Sequence, residues 1–179
     1  MSGIDAESGR PPSDASGLPA VGTVTAYAAG IVAFAYALVS LYWALGGHGL
    51  AGTAGGYVEQ FARRGGVVPV LVALAAALAK VAGGLLALAL VRPWGRLVPR
   101  AWLLIGSAGA SLLLAVYGGL NVTAGALVLS GAIHPAGSVD RTALRWHVAV
   151  WDLWFLVWGI LLAIATVCYR RRTGNPESP

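Results

Sequence analysis

The stretch VVPVLVALAAALAKVAGGLLALALV, residues 67–91, decides the fold. It runs from Val67 to Val91 with a single ionisable side chain, Lys80. A helix needs about 20 consecutive apolar residues to cross the hydrocarbon core of a bilayer. The run is too long for one strand, since strands seldom exceed about 10 residues. In lipid the backbone must also satisfy its own hydrogen bonds, which a helix does within the segment.

Three further segments share this character, at about 24–45, 102–125 (with a continuation toward Ser130) and 147–168. The expected fold class is an all-α integral membrane protein, a four-transmembrane-helix antiparallel bundle. Composition points the same way. The 179 residues are 58% hydrophobic and 11% charged, against about 25% charged in soluble domains. That excludes a soluble enzyme and a disordered chain. Cys168 is the one cysteine, so no internal disulfide and no cysteine metal cluster can form. At the end of the last helix it reads as a small packing residue, with palmitoylation as the alternative.

Orientation follows the arginines. Residues 1–23 hold Asp5, Glu7, Asp14 and three prolines. They read as a disordered cytoplasmic tail, with no apolar core for a signal peptide. With that tail inside, Arg10, Arg92, Arg96, Arg100, Arg170, Arg171 and Arg172 lie inside. Arg63, Arg64, Arg141 and Arg145 lie outside. The inner excess places both termini in the cytoplasm. The transmembrane domain then spans 24–169, and 170–179 form a basic, then flexible, cytoplasmic tail.

The link VRPWGRLVPR (91–100) is short, so helices two and three should form a tight hairpin. Pro93 and Pro99 stop the helices on either side. Trp94 and Trp102 suit headgroup depth. The outer loops are longer. Residues 46–66 are Gly-rich around a short helix at 57–64, and a Ser138 or Asp140 cap precedes Arg141.

The charge of +5 does not indicate nucleic acid, because no stacking platform accompanies it. The arginines meet lipid headgroups instead. Eleven of the twelve basic residues are Arg, which together with the Ala/Gly/Leu/Val bias fits a high-GC bacterial genome.

Seventeen of the nineteen formal charges fall in tails, links or helix ends; Lys80 and Asp152 do not. At 1.5 Å per residue Lys80 sits about 16 Å from the inner edge, near the depth of Ser111 and Tyr36. Asp152 sits at about 24 Å, near Tyr117 and Ser40, with Asn121 one turn further out. Intramembrane charges are costly and mark candidate sites. Two readings follow. Either Lys80 and Asp152 pair across an axial offset of about 8 Å, or each finds a separate partner and fixes helix register. The functional form of the first is a polar cluster of Lys80, Asp152, Asn121 and Tyr117 in the outer half.

His48, His134 and His147 all fall at the outer face. They lack local ligand spacing, so interface histidines are expected rather than zinc or haem. In helix four, His147, Trp151, Trp154 and Trp158 recur at 4-3-4 spacing. The stripe reads as bulky packing against small faces. In helix one, Ala26, Gly30, Ala33, Ala37, Ser40 and Ala44 make such a face, a packing seam or a homodimer contact. Catalytic motifs such as GxSxG, a Walker loop or CxxC are absent. No metal or cofactor is expected.

The strings YWALGG (42–47), Lys80, VYGGLNVTAGALVLSG (116–131) and RWHVAVWDLWFLVWGILL (145–162), in this order, resemble small bacterial membrane proteins grouped as domain of unknown function 3995. The resemblance covers about 24–170. It implies four helices and no assigned activity, and it supplies no catalytic residues. Leu153 stands where the family pattern suggests Pro.

The leading expectation is therefore a non-enzymatic protein of the bacterial plasma membrane, a small-ligand binder or accessory subunit. Its partners would be the lipid bilayer and another membrane protein or a second copy. One alternative is a small transporter or proton-linked carrier using Lys80 and Asp152. Another is a membrane enzyme acting on a lipid or isoprenoid at the outer face, with Asp152 and His147 as acid and base.

Overall fold

The computed structural model describes residues 17–47, 49, 53, 66–135 and 139–174. Residues 1–16, most of the 48–65 loop and the last five residues lie outside these. So do His48, Ser138 and the short helix expected at 57–64. The described residues contain no strand. They form four helices: α1 Gly17–Ala44, α2 Val67–Ala89, α3 Arg100–Leu129 and α4 Arg141–Gly174. All four are long and apolar enough to cross a membrane.

The ends follow local chemistry. α1 and α3 stop with glycines at positive φ, Gly46 at 87° and Gly131 at 80°. Each end carries the paired bonds of a Schellman motif. Gly47 N–H reaches Tyr42 O at 2.9 Å, and Ala132 N–H reaches Leu127 O at 3.0 Å. Asp140 caps α4, accepting from the N–H groups of Thr142 and Ala143. α4 runs on through Arg170–Arg172, further than the apolar span, because cations suit a helix C-terminus.

The antiparallel register is read from contacts. A Cβ on Gly30 would meet Leu88, and one on Gly84 would meet Ala33 and Phe34, while Lys80 reaches Ser40. Residue numbers rise on α1 as they fall on α2. Along α1 and α4, Gly22 lies on Cys168, Val32 on Trp154 and Tyr36 on Trp151. Along α3 and α4 the backbones nearly touch. A Cβ on Gly159 would lie 2.5 Å from Ala115 N, and one on Gly118 would strike Leu156 N. Glycine is required there because the obstacle is backbone.

One expectation changes. α2 and α3 are joined by a 3-10 turn, Pro93–Leu97, yet they pack on each other only lightly. α2 packs on α1, α3 packs on α4, and α1 meets α4 in the centre. A short link fixes only where two helices begin. The small faces of α1 (Ala26, Ala29, Ala33) and the α4 glycine decide which surfaces approach closely. The small-residue face of α1 is thus covered by α2 and α4 of the same chain. It is a packing seam within the chain.

Candidate functional site

Tyr36, 7% exposed, organises the site. It projects from α1 one turn before Ser40, so both face the same way. Lys80 of α2 lies opposite. Its Nζ donates to Ser40 Oγ at 2.9 Å and sits 4.5 Å from the Tyr36 ring centroid. The ammonium thus has a hydroxyl acceptor and an aromatic face within the bundle.

The other side of Tyr36 meets α4. Its ring stacks on Trp151 (5.9 Å) and tilts against Trp154 (5.5 Å) and Phe155 (4.9 Å). Trp43 adds a contact to Trp151 at 5.5 Å, and Tyr117 sets its edge on Phe155 at 5.2 Å. Trp151, Trp154 and Phe155 share a face at i, i+3 and i+4. Two indole N–H groups tie α4 to neighbouring backbone: Trp154 Nε1 to Val32 O at 3.0 Å and Trp151 Nε1 to Thr53 O at 3.3 Å.

Asp152, buried, meets His147, with Nδ1 and Oδ2 3.3 Å apart. The two are five residues apart, which on an α-helix leaves them about 140° from each other. They meet because residues His147–Trp151 form a π turn, in which Asp152 N–H bonds His147 O. The uniform helix read from sequence is therefore wrong at this point. The 4-3-4 stripe holds for Trp151, Trp154 and Trp158, but His147 is rotated off it toward Asp152. π turns are rare and concentrate at functional sites. Sequence carries no clear signal for one, since it is an extra residue tolerated by tertiary packing. Here that packing is Gly125 against Val148 and Leu144 on one side and Gly118 against Asp152 and Leu156 on the other.

Among the described residues Lys80 and Asp152 form no ion pair; their partners are Ser40 and His147. With Gly83 lying on Trp158, Lys80 is three residues and Asp152 six residues nearer the opposite end. The axial offset is then about 5 Å, smaller than the sequence ruler gave. Tyr36 takes Lys80 on one side of its ring and packs on the other against Trp151, the residue before Asp152. Asn121 does not join them. Its amide donates to Tyr117 O, one turn back on its own helix, at 2.8 Å. His134 is exposed beyond the end of α3. Among the described residues no three His, Cys, Asp or Glu side chains come together as metal ligands.

Sequence reasoning undervalued Tyr36, Ser40 and Trp43. The signal was present in the depth match of Tyr36 to Lys80 and the i, i+4 spacing of Tyr36 and Ser40. Trp158 packs as expected, over Gly83, with its Nε1 lacking a hydrogen-bond partner. Beside the aromatic cluster an apolar groove of about 390 Å³ runs along Val32, Ala149, Val150, Leu153, Trp154 and Val157.

A bundle of four helices, each long and apolar enough to cross a membrane, with two polar couples beside a cluster of aromatic rings, defines the class: an all-helical protein of multi-pass membrane type. The chain belongs to the family described as protein of unknown function (DUF3995), whose sequence model matches residues 32–162. The matched segment contains Tyr36, Lys80 and the His147–Asp152 couple. No curated protein and no solved structure matches the chain.

Proposed function

We propose that the chain is a non-enzymatic multi-pass protein of the bacterial cytoplasmic membrane, an accessory or small-ligand-binding subunit with both termini inside. The observation that carries this reading is the separate satisfaction of its two intramembrane charges, Lys80 by Ser40 and Asp152 by His147. Charges placed this way hold helix register. A substrate path would instead leave them facing a shared, wet cavity. The backbone-level contact of α3 and α4 at Gly118 and Gly159 supports a fixed bundle, with little freedom for alternating access.

The test is affinity purification of the full chain in mild detergent, with mass spectrometry of bound proteins and lipids. A stoichiometric protein partner or retained small molecule is expected. Asp152→Asn and Lys80→Ala should then change assembly or stability alone. Loss of a solute flux on Lys80→Ala, with insertion intact, would assign a carrier instead.

A second reading is favoured by one specific feature. The His147–Asp152 couple sits at the π turn, whose Ala149 and Val150 also line the apolar groove. An acid–base pair beside a lipid-sized groove suits chemistry on a lipid or isoprenoid at the outer face. Turnover on such a substrate, lost in both His147→Ala and Asp152→Asn with binding retained, would establish it.

A further inference from the structure

The end of the bundle opposite the His147–Asp152 couple collects six arginines from two stretches of the chain. Arg92 precedes the 3-10 turn, Arg96 lies in it and Arg100 opens α3. Arg170, Arg171 and Arg172 lie in the last turns of α4. All six are exposed. Tertiary bonds bring the two stretches together. Arg172 Nη2 donates to Leu90 O at 2.9 Å, tying α4 to the end of α2. Arg100 Nε donates to Thr173 Oγ1 at 2.7 Å, tying α3 to α4. Arg92 lies over the Tyr27 ring at 5.5 Å. The turn itself is pressed against α2, since a Cβ on Gly95 would strike the Ala89 carbonyl.

Two of the arginines are therefore anchored by one bond each, and a guanidinium has five N–H donors. Most donors are left for something else. The described carboxylates, Asp140 and Asp152, are both in the other half of the molecule. Side chains between and beside the arginines point to what the something else is. Leu97 is 86% exposed, Trp102 68% and Trp94 43%. Large apolar groups and interfacial tryptophans set among arginines match the level where acyl chains give way to headgroups. A water-soluble anion would find no use for them.

We infer that this arginine-rich end is a binding surface for the phosphate headgroups of anionic phospholipids, held by Arg92, Arg96, Arg100 and Arg170–Arg172. The inference rests on the membrane reading above and adds a ligand class and a location to it. Arginines present phosphate-matching forks, and the anchored pair holds the two stretches side by side. The net positive charge selects anionic over zwitterionic lipid.

The experiment uses the full chain in nanodiscs of phosphatidylcholine mixed with phosphatidylglycerol, followed by native mass spectrometry of retained lipid. The wild type should retain phosphatidylglycerol at least about tenfold over its share of the bilayer. The triple variant Arg96→Gln/Arg170→Gln/Arg171→Gln spares the two anchoring arginines and should lose that preference by about 10- to 100-fold. Arg141→Gln/Arg145→Gln, at the other end, should keep it. Inorganic phosphate at millimolar concentration should not displace the lipid. No preference in the wild type, an unchanged preference in the triple variant, equal loss in the Arg141/Arg145 variant, or displacement by inorganic phosphate overturns the inference. Incorporation into phosphatidylcholine discs alone is read separately. If it fails, the membrane reading falls; if it succeeds without lipid preference, only the inference falls.

Discussion

His147 and Asp152 touch across five residues of one helix, Nδ1 to Oδ2 at 3.3 Å, because the turn between them is π-helical. The extra residue in that turn is the cause of the contact. If Ala149 is deleted, the turn can close as α-helix and the pair becomes i, i+4, which also places both on one face. Neither flank then needs to rotate against α3. A variant lacking Ala149 should fold and keep the couple, with thermal unfolding in detergent within a few degrees of the wild type. Collapse of the folded state would show that the π turn serves something other than this register.

The couple itself should carry modest energy. Side-chain bonds between helical residues in membranes average about 0.6 kcal/mol, with a maximum near 1.7. Asp152→Asn keeps a group that His147 can contact and should cost under about 1 kcal/mol. His147→Ala removes the partner of a buried carboxyl and should cost more. Equilibrium unfolding of the two variants orders them, and the reverse order would contradict the assigned pairing.

Lys80 and Ser40 make an asymmetric pair. Lys80→Met removes a charge whose insertion costs about 3 kcal/mol and leaves a hydroxyl able to bond its own helix. Ser40→Ala removes the acceptor and leaves the ammonium with only the Tyr36 face. Ser40→Ala should therefore be the more destabilising change, by about 1–3 kcal/mol. A stable, well-inserted Lys80→Met protein with unchanged partner binding would also show that the charge has a structural role alone.

Close packing of α3 on α4 is tested at its glycines. Gly159→Val and Gly118→Val push a side chain into backbone and should cost at least about 1–3 kcal/mol. Gly109 lies in the same helix as Gly118, but a Cβ there would meet nothing within 4 Å. Gly109→Ala should be neutral or slightly favourable. Unfolding in a denaturing detergent series separates these. Equal tolerance at Gly159 and Gly109 would refute the packing.

Orientation is open to labelling. In a Cys168→Ser background, cysteine at position 134 should react with an impermeant maleimide on intact cells, and cysteine at position 96 only after permeabilisation. The opposite pattern would invert the topology.

Much of the fold was legible in sequence because its signals are local. Apolar runs of bilayer length identify helices, and Pro93, Pro99 and Asp140 mark ends by backbone and cap chemistry. The small stripe from Ala26 to Ala44 announced a packing face, and Trp158 announced a bulky partner for one. Lys80 and Asp152 stood out because few charges enter such segments.

What the residues alone left open was pairing. Whether Lys80 would reach Asp152 depended on axial register to within a few ångströms and on what stood between, and register is set by contacts far apart in sequence. Gly83 under Trp158, Gly84 against Ala33 and Gly118 against Leu156 fix it. The π turn was equally hidden, since an added residue changes no composition and is stabilised only where both flanks are pinned. The amino-acid sequence by itself determined four apolar helices and the two charges that matter. The tertiary structure alone decided that α1 and α4 form the centre and that Tyr36 stands between Lys80 and the α4 aromatics. It also decided that each charge has its own partner, because close approach of small residues sets the helix neighbours and their register, and no local pattern encodes that.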